Sequence, residues 1–435
     1  MQIYLVGGAV RDRLLGLPVR ERDYLVVGAT PEAMRSRGFR QVGRDFPVFL
    51  HPQTHAQYAL ARSQRDQIAA GMEPRPQAKP EVTLEEDLAR RDLTINAMAE
   101  SEAGELIDPF GGQRDLQQRC LRHVSAAFTE DPVRVLRVAR FMARYHTQGF
   151  RVAPETVDLM RRMARTGQLD GLVGERVWQE LVSALGYANP LPFFTSLRAC
   201  DALDRVFPEL NRLWGVPQPP NWHPEIDCGV HSMMTLQAAC ALSAAPEVRF
   251  AALTHDLGKG TTPAQILPGH HGHEARGARL VESLCARLHA PKRFRQLGVA
   301  CACYHGLCHR LDELKPSTIL KLLSGMDAFR QPVRFAQFLL VCEADYRGRR
   351  GFAERPYPQA EKFRRLFEAA QQIDVQTLLA TRADAGGGPV AAGDAQPRVS
   401  GKTIGEALRR ARLRAMREAL DPKVAPGYRK TNLTH

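Results

Sequence analysis

Two adjacent glycines near the amino terminus, Gly7 and Gly8, constrain the fold of this chain more than any other feature. The apolar run before them, residues 3–6, predicts a strand, and residues 10–15 after them predict the start of a helix. Glycine permits a sharp turn at such a junction, and it lets backbone N–H groups approach an anion. Further short strands are predicted at residues 24–27, 47–50 and 58–61. The amino-terminal part therefore predicts an α/β unit built on a small mixed sheet.

A pair of acidic residues lies immediately before the second predicted strand. Glu21 and Asp23 are separated by one residue, so on an extended chain their carboxylates point to one face while Arg22 points away. Two convergent carboxylates suit a pair of Mg²⁺ ions, which activate an attacking hydroxyl and neutralise a leaving pyrophosphate. An acid-x-acid pattern is common on protein surfaces, but its place soon after a glycine turn favours a metal site.

The segment Arg90-Arg91-Asp92 has two interpretations. A guanidinium group suits the oxygens of a triphosphate, and the segment would then open a helix whose start favours anions. Alternatively, it is a solvated helix end in which Asp92 acts as a cap. Arg11, one turn into the first predicted helix, is in reach of an anion at the glycine turn.

Three arginines farther along have the spacing of an anion-binding helix face. Arg134, Arg137 and Arg140 recur every three residues after Asp131 and Pro132, which form a helix start signal. Arg137 and Arg140 have no acidic residue at i±4, so we expect an anion-facing ridge. A carboxylate at 131 and a guanidinium at 134, one turn apart, can together bind the edge of a base.

Charge and composition favour a nucleic-acid partner. Lys and Arg number 60 against 47 acidic residues, which gives a net charge of +13, and such an excess attracts a polyanion. No run approaches the ~18 apolar residues of a membrane span, and the amino terminus has no signal-peptide pattern. Nine cysteines, an odd number, do not indicate a disulfide framework. These features predict a cytoplasmic location and no membrane partner.

A second group of polar residues lies in the carboxy-terminal half, where the pattern is helical almost throughout. His255 and Asp256 are adjacent, and we expect them to ligate one ion from the start of a helix. His231 precedes them and Asp345 follows. Further imidazoles are available at His270, His271, His273 and His305. A structural zinc site on Cys301, His305 and Cys308 is conceivable on a helix, but the spacing matches no standard zinc motif and we do not favour it.

These motifs together resemble those of the bacterial class II tRNA nucleotidyltransferases, in the form that carries an HD-type phosphohydrolase domain. The resemblance rests on Gly7-Gly8-Ala-Val-Arg11-Asp12, the acid pair, Arg90-Arg91-Asp92, Glu130-Asp131-Pro-Val-Arg134 and the ordered His and Asp set. It implies a polymerase-β-like α/β head followed by an all-α body that includes an HD-type helical domain. The implied domains are a head at 1–140, a helical neck at 141–225, an HD domain at 228–330, and a tail at 331–435 with a linker near 383–397.

The resemblance also implies a reaction and a role for each motif. The chain would add and repair the 3′-terminal CCA of tRNA from CTP and ATP, and it would release pyrophosphate. The catalytic acids that hold Mg²⁺ would be Glu21 and Asp23. The nucleotide would be bound by Gly8, Arg11, Arg91, Arg137 and Arg140. The base would be recognised by Asp131 and Arg134, on a helix that residues 175–180 brace.

For the HD domain the resemblance implies a transition metal such as Ni²⁺ and phosphatase, 2′-nucleotidase or 2′,3′-cyclic phosphodiesterase activity. Its ligands would be His231, His255, Asp256 and Asp345. Two features depart from the family: the first acid is usually Asp rather than Glu21, and residues 67–79 lack the glycine- and aromatic-rich loop that governs the switch from C to A addition. Rival functions are a bacterial poly(A) polymerase, which shares the amino-terminal motifs, a phosphohydrolase whose head only binds nucleotide, and a non-catalytic RNA-binding module. We expect a monomer or a homodimer.

Overall fold

The structure is a computed structural model that describes residues 1–19, 21–42, 48–62, 80–373 and 401–421. The chain divides into two compact units, Met1–Pro208 and Glu209–His435. The predictions for the loop at 67–79 and the linker at 383–397 lie outside the described residues.

A seven-stranded mixed sheet forms the centre of the first unit, with the order β3-β4-β5-β2-β1-β6-β7. Its strands are β1 Gln2–Val6, β2 Asp23–Val27, β3 Arg40–Val42, β4 Val48–Leu50, β5 Gln57–Leu60, β6 Ala99–Ser101 and β7 Leu106–Ile107. β1 runs antiparallel to β2 and β6, and β2 runs parallel to β5. Because successive side chains point to opposite faces, Leu25 enters the core on one side of the sheet and Val26 the core on the other.

The register of β1 and β2 brings the glycine turn to the acid pair. Val6, the last residue of β1, lies opposite Asp23, the first residue of β2. Gly7 follows Val6 at once, so the turn and the acid pair share one edge of the sheet. The predicted strand–glycine–helix junction and the second strand are therefore both present, and each begins or ends within two residues of the prediction.

Nine α-helices complete the described part of the first unit. They are α1 Gly8–Leu14, α2 Pro31–Ser36, α3 Leu84–Ala89, α4 Gly112–Gln117, α5 Val133–Tyr145, α6 Pro154–Arg165, α7 Gly174–Leu185, α8 Leu191–Ala199 and α9 Ala202–Val206. A short parallel pair, β8 (Cys120–Leu121) with β9 (Arg151–Val152), lies outside the main sheet. α5 begins after Pro132 as predicted, because Asp131 accepts the backbone N–H of Val133 at 3.3 Å.

The second unit is helical throughout its described part. After α10 (Pro208–Asn211) its helices are α11 Cys228–Leu242, α12 Pro246–Thr254, α13 His273–Arg287, α14 Lys292–His309, α15 Pro316–Gly325, α16 Pro332–Arg347, α17 Pro358–Gln371 and α18 Gly401–Leu420. An aromatic core of Phe335, Phe338 and Phe363 holds α16 against α17. None of the described helices is both long and apolar enough to cross a bilayer. The expected α/β head followed by a helical body is confirmed.

Two expectations about helix ends are wrong. Residues 90–92 do not open a helix: α3 ends at Ala89, and a 3₁₀ turn at Thr94–Asn96 follows. His255 and Asp256 do not start an α-helix either, although Asp256 is the N-cap of a 3₁₀ helix. They follow the last residue of α12, and a 3₁₀ helix at Leu257–Thr261 continues from them.

Candidate active sites

The acid pair of the first unit is exposed at the edge of the sheet. Asp23 opens β2, and Glu21 precedes the strand by two residues. Partial burial and the negative charge of Glu21 raise the pKa of Asp23, while the charge of Arg91 acts in the opposite direction. The two carboxylates therefore repel each other, and a divalent cation between them would relieve that repulsion. This donor set of hard oxygens fits Mg²⁺.

Arg91 lies directly against the glycine turn. Gly7 has a φ of +68°, and a Cβ at this position would come within 2.8 Å of Arg91 Nη1. The same guanidinium donates to the carbonyl of Asn96 at 3.3 Å and pairs with Asp87 at 3.3 Å. Its Nε is buried and has no hydrogen-bond partner. A donor in that state is available to an anionic ligand at the turn.

Gly8 and Arg11 lie in the first turn of α1, but their surroundings differ. Arg11 is 3% exposed, and its guanidinium donates to Asn96 and to Asp12. It also lies 5.2 Å from the ring centre of Phe141 on α5. Arg11 thus ties α1 to α5 from inside the unit, and its direct contact with a nucleotide stays a prediction.

Three arginines of α5, Arg137, Arg140 and Arg144, are paired with acids from other elements. Arg137 Nε donates to Asp92 at 2.8 Å, and Arg140 Nε donates to Glu180 on α7. Arg144 donates to Asp12 on α1 at 2.8 Å. The lack of acids at i±4 therefore does not leave these guanidinium groups unpaired. They form a charged layer that binds α1, α5 and α7 together.

Asp92 belongs to this layer rather than to a helix cap. Burial by itself would raise its pKa, but the charge of Arg137 and hydrogen bonds from Asn96 and the backbone of Leu93 hold the pKa well below its usual value. The carboxylate is ionised and fully bonded, which fixes Arg137 close to the segment that carries Arg91.

Asp131 and Arg134, the pair expected to bind a base edge, are each held by a different element. Arg176 on α7 donates to both oxygens of Asp131, at 3.0 and 2.7 Å. Arg134 donates to the backbone carbonyls of Ala127 and Arg90. Such anchoring fixes both side chains at the start of α5, and α7 contacts that helix through Arg176 and Glu180, as the resemblance implies.

In the second unit the four predicted ligands come together in one buried centre. His231 Nε2 lies 3.0 Å from Asp345 Oδ1, and His255 Nε2 lies 3.1 Å from Asp256 Oδ2. His255 Nε2 is also 3.7 Å from Asp345 Oδ1. All four side chains are at most 2% exposed, although 114 residues separate His231 from Asp345. α11 supplies His231, α16 supplies Asp345, and the segment directly after α12 supplies His255 and Asp256.

Residues outside the predicted ligand set surround this centre. Glu225 Oε1 lies 2.9 Å from His231 Nδ1, and Lys259 Nζ lies 2.6 Å from Asp256 Oδ2. His309 on α14 pairs with the second oxygen of Asp345 at 2.6 Å. Carboxylate partners of this kind orient an imidazole ligand and raise its basicity. The string His-Asp-Leu-Gly-Lys already contains Lys259, but no local pattern identifies Glu225 or His309.

The buried nitrogen and oxygen atoms of this centre fit the ligands of a metal ion. His255 Nε2, Asp256 Oδ1 and His273 Nε2 are buried and make no hydrogen bond. Burial alone would raise the pKa of Asp256, but the charges of His255 and Lys259 hold it well below its ordinary value, so the carboxylate is ionised. Unpaired imidazole nitrogens beside an ionised carboxylate are the ligands of a borderline transition metal. The cysteines proposed for zinc do not share these features: burial raises the pKa of Cys301, and Tyr357 donates to Cys308.

Three family models match successive parts of this chain. Residues 3–122 match the model of the poly A polymerase head domain, residues 149–213 that of the probable RNA and SrmB-binding site of polymerase A, and residues 229–329 that of the HD domain. The head and the HD centre together thus define a nucleotidyltransferase with an HD domain.

Comparison with individual relatives identifies a narrower family within the class of nucleotidyltransferases with an HD domain. A multifunctional CCA protein from Thioalkalivibrio sulfidiphilus is 58% identical over 96% of this chain and 98% of its own length, and one from Nitrosococcus oceani is 55% identical over 97% and 99%. The chain belongs to the family of multifunctional CCA proteins, CCA-adding tRNA nucleotidyltransferases with an HD phosphohydrolase domain. Solved structures of a CCA-adding enzyme with ATP (TM-score 0.62, 18% identity, 95% of this chain and 86% of that one) and with CTP (0.60, 21%, 95% and 87%) share the fold.

Proposed function

We propose that this chain adds C, C and A to the 3′ end of tRNA from CTP and ATP, without a nucleic-acid template, and releases pyrophosphate. One observation carries the proposal: the β1–β2 register places Asp23 opposite Val6, so that the acid pair meets the glycine turn and Arg91. The close relatives bear the name of that activity.

In this reaction the terminal ribose hydroxyl attacks the α-phosphate of the nucleotide. Mg²⁺ bound at the acid pair supplies activation of that hydroxyl and neutralises the leaving pyrophosphate. Glu21 and Asp23 hold the cation at the sheet edge. The free Nε of Arg91 and the backbone of Gly8 bind the triphosphate, and Arg137 and Arg140 add positive charge from α5. Arg11 stabilises the glycine turn from inside the unit through its hydrogen bonds to Asp12 and Asn96.

Base choice belongs to the start of α5 in this proposal. Asp131 and Arg134 present an acceptor and a donor that protein contacts keep in place, so they select cytosine or adenine without a template. We expect Asp131→Ala to incorporate wrong nucleotides while some transfer remains. Arg176→Ala, which only releases Asp131, should show a weaker form of the same error. Unchanged selectivity in both variants would remove this pair from base recognition.

The decisive experiment offers tRNA that lacks its 3′ CCA together with labelled CTP and ATP. Three added nucleotides on a denaturing gel support the proposal, whereas an open-ended tail supports the poly(A) polymerase rival. Asp23→Asn should abolish incorporation while tRNA binding survives, and Glu32→Gln, an exposed acid on α2 of the same unit, serves as the control. Retained turnover in Asp23→Asn would contradict the role of the acid pair.

We also infer that the HD centre hydrolyses phosphate esters, including 2′,3′-cyclic phosphates, with a transition metal such as Ni²⁺. The unpaired buried nitrogens of His255 and His273 support this second function. His255→Ala should stop phosphate release from a 2′,3′-cyclic nucleotide and spare CCA addition. Equal loss of both activities would contradict two separate sites.

Because tRNA is matured and used in the cytoplasm, the proposed substrate assigns the enzyme to that compartment. We expect the enzyme to be a monomer or a homodimer, and light scattering of the purified chain distinguishes the two.

A further inference from the structure

A short loop directly before α11 lies against the HD centre. An antiparallel bridge joins Pro217 to Asp227 and closes the loop. At its tip the backbone N–H groups of Trp222 and His223 both donate to the carbonyl of Pro219, at 3.1 and 3.0 Å. The 217–227 loop therefore holds its tip in one conformation through its own hydrogen bonds.

The two residues at the tip differ in exposure. The ring centre of His223 lies 4.5 Å from that of His231, and His223 Nδ1 lies 3.0 Å from Glu225 Oε1. His223 is 9% exposed, whereas Trp222 is 68% exposed. The indole of Trp222 thus lies in solvent, one residue away from a side chain that contacts a predicted metal ligand.

Two further apolar side chains close to Trp222 in the sequence are exposed. Ile226 is 48% exposed, and Val230, in the first turn of α11, is 37% exposed. Ile226 has a φ of +64°, a left-handed conformation that a β-branched residue rarely adopts. Backbone strain of this kind is concentrated at sites that bind ligands. Exposed apolar groups on such a loop indicate a surface that another molecule covers.

The carboxylates of the loop are already bonded within the domain. Glu225 Oε1 lies 2.9 Å from His231 Nδ1, and its Oε2 accepts the backbone N–H of Arg350 at 3.2 Å. The carboxylate of Asp227 caps α11 by accepting the N–H of Val230 at 2.8 Å. The contact with Arg350 brings the basic segment that follows α16 against the loop.

Two arginines of that segment have no acidic partner among the described residues. Arg350 is exposed. The Nε of Arg349 is buried and makes no hydrogen bond, and its guanidinium carbon lies 5.6 Å from the ring centre of Tyr346. By contrast Arg347, earlier on α16, pairs with Glu343 at 2.7 Å. The segment beside the loop therefore presents positive charge that a bound anion can neutralise.

We propose that Trp222 stacks on the unpaired base at the 3′ end of an RNA chain, and that Arg349 and Arg350 bind its phosphates. A fixed aromatic ring beside unpaired cations is the combination that binds single-stranded nucleic acid. A second copy of the chain would also cover an apolar patch, but the unpaired cations favour a polyanion. The proposal rests on the phosphohydrolase function inferred above, and it names the substrate class of that centre as RNA ends.

Tryptophan fluorescence of the full-length, metal-loaded chain tests the stacking. The probes are a pentacytidylate with a 3′ hydroxyl and the same chain without its last base. Trp178 is 7% exposed and the ring of Trp214 lies against Gly229, so Trp222 is the accessible reporter. We expect saturable quenching by the intact oligonucleotide and about 10-fold weaker binding of the abasic one.

Matched variants assign the signal to one residue. Trp222→Phe should lose the saturable quenching, whereas Val333→Ala, which changes a side chain of the same unit that is 72% exposed, should behave as the wild type. Equal affinities for the two oligonucleotides, or unaltered quenching in Trp222→Phe, would overturn the proposal.

Kinetics measures the consequence for the HD centre. With a pentacytidylate that ends in a 2′,3′-cyclic phosphate, Trp222→Ala should raise KM for ring opening about 10-fold and change kcat by less than about two-fold. Trp222→Phe keeps a smaller ring and should lie between. Arg350→Gln should raise KM and reduce its dependence on salt.

The outcomes separate this site from the hydrolase function. Base-dependent quenching without ring opening by the wild type would refute the hydrolase function alone. Ring opening with an unchanged KM in Trp222→Ala would refute the stacking site alone. If Trp222→Ala converts a dimer into a monomer in light scattering, the surface is a contact between copies and the proposal is wrong.

Discussion

Removing the carboxylate of Glu180 is the sharpest test of whether the arginine layer stabilises the nucleotidyltransferase head. Glu180 on α7 accepts from Arg140 and lies 3.7 Å from Arg137 Nη1. Its side chain is 11% exposed and that of Arg140 is 14% exposed. Glu180→Ala would therefore leave the guanidinium of Arg140 in a poorly hydrated position without its counter-ion.

The expected loss follows from this burial. Breaking a buried ion pair by removing one partner costs about 3–5 kcal/mol. Arg140 keeps a hydrogen bond to Tyr187 at 3.1 Å, and Arg137, which is 36% exposed, keeps Asp92. We therefore expect about 2–3 kcal/mol. For a unit of roughly 200 residues, each kcal/mol lowers the melting temperature by about 2–4 °C, so the head should melt roughly 5–10 °C lower.

Calorimetry of the full-length chain measures this change, and kinetics measures its consequence. Because the same arginines are proposed to bind the triphosphate, KM for CTP and ATP should rise in Glu180→Ala. Glu180→Gln keeps an acceptor and should lose less, and Gln179→Ala, an exposed change on the same helix, should stay within about 0.5 kcal/mol of the wild type. Equal melting temperatures for the Glu180 and Gln179 variants would refute the reasoning.

Three further predictions concern single contacts. Gly7→Ala forces a Cβ to within 2.8 Å of a guanidinium and should raise KM for both nucleotides several-fold. Gly16 has a similar positive φ, +66°, but no atom lies within 4 Å of its Cβ, so Gly16→Ala should leave KM unchanged. Equal kinetics for the two variants would contradict a role of the Gly7–Arg91 contact. Glu225→Gln removes the carboxylate partner of His231 and should weaken Ni²⁺ binding about 10–100-fold by calorimetric titration. Asp92 has a lowered pKa when folded, so its stabilisation is complete above the unfolded value of about 3.9 and is lost as pH falls towards the folded value; acid melting curves should be flatter for Asp92→Asn than for the wild type.

The head could be predicted well because its signals are local. The glycine pair fixes a turn, and strand periodicity gives β1 and β2 to within two residues. The segment at 90–92 was predicted less well, although the residues just before it contain the signal that corrects the prediction. Thr83 and Glu86 form a capping box that starts α3 at Leu84, so a helix already precedes Arg90 instead of beginning there.

Ion pairing and metal ligation could not be predicted in the same way, because their partners come from distant segments. Arg137 pairs with Asp92, 45 residues away in the sequence, and Arg140 pairs with Glu180, 40 residues away. Helical spacing carries no information about partners at such sequence separations. Three histidines at 270, 271 and 273 looked equivalent in the sequence. Only the start of α13 decides that His273 faces Asp256 while His271 is exposed.

The two sites differ in a way that matches the ions they are proposed to use. Glu21 and Asp23 are exposed at a sheet edge and offer only carboxylate oxygens, which suits a Mg²⁺ ion that arrives and leaves with each nucleotide. The HD centre is buried, it is rich in imidazole, and backbone carbonyls and Glu225 fix its rings. Such a centre suits a transition metal that stays bound between turnovers. One chain can therefore carry both chemistries without competition for one ion, because ligand hardness and burial sort the metals between the sites.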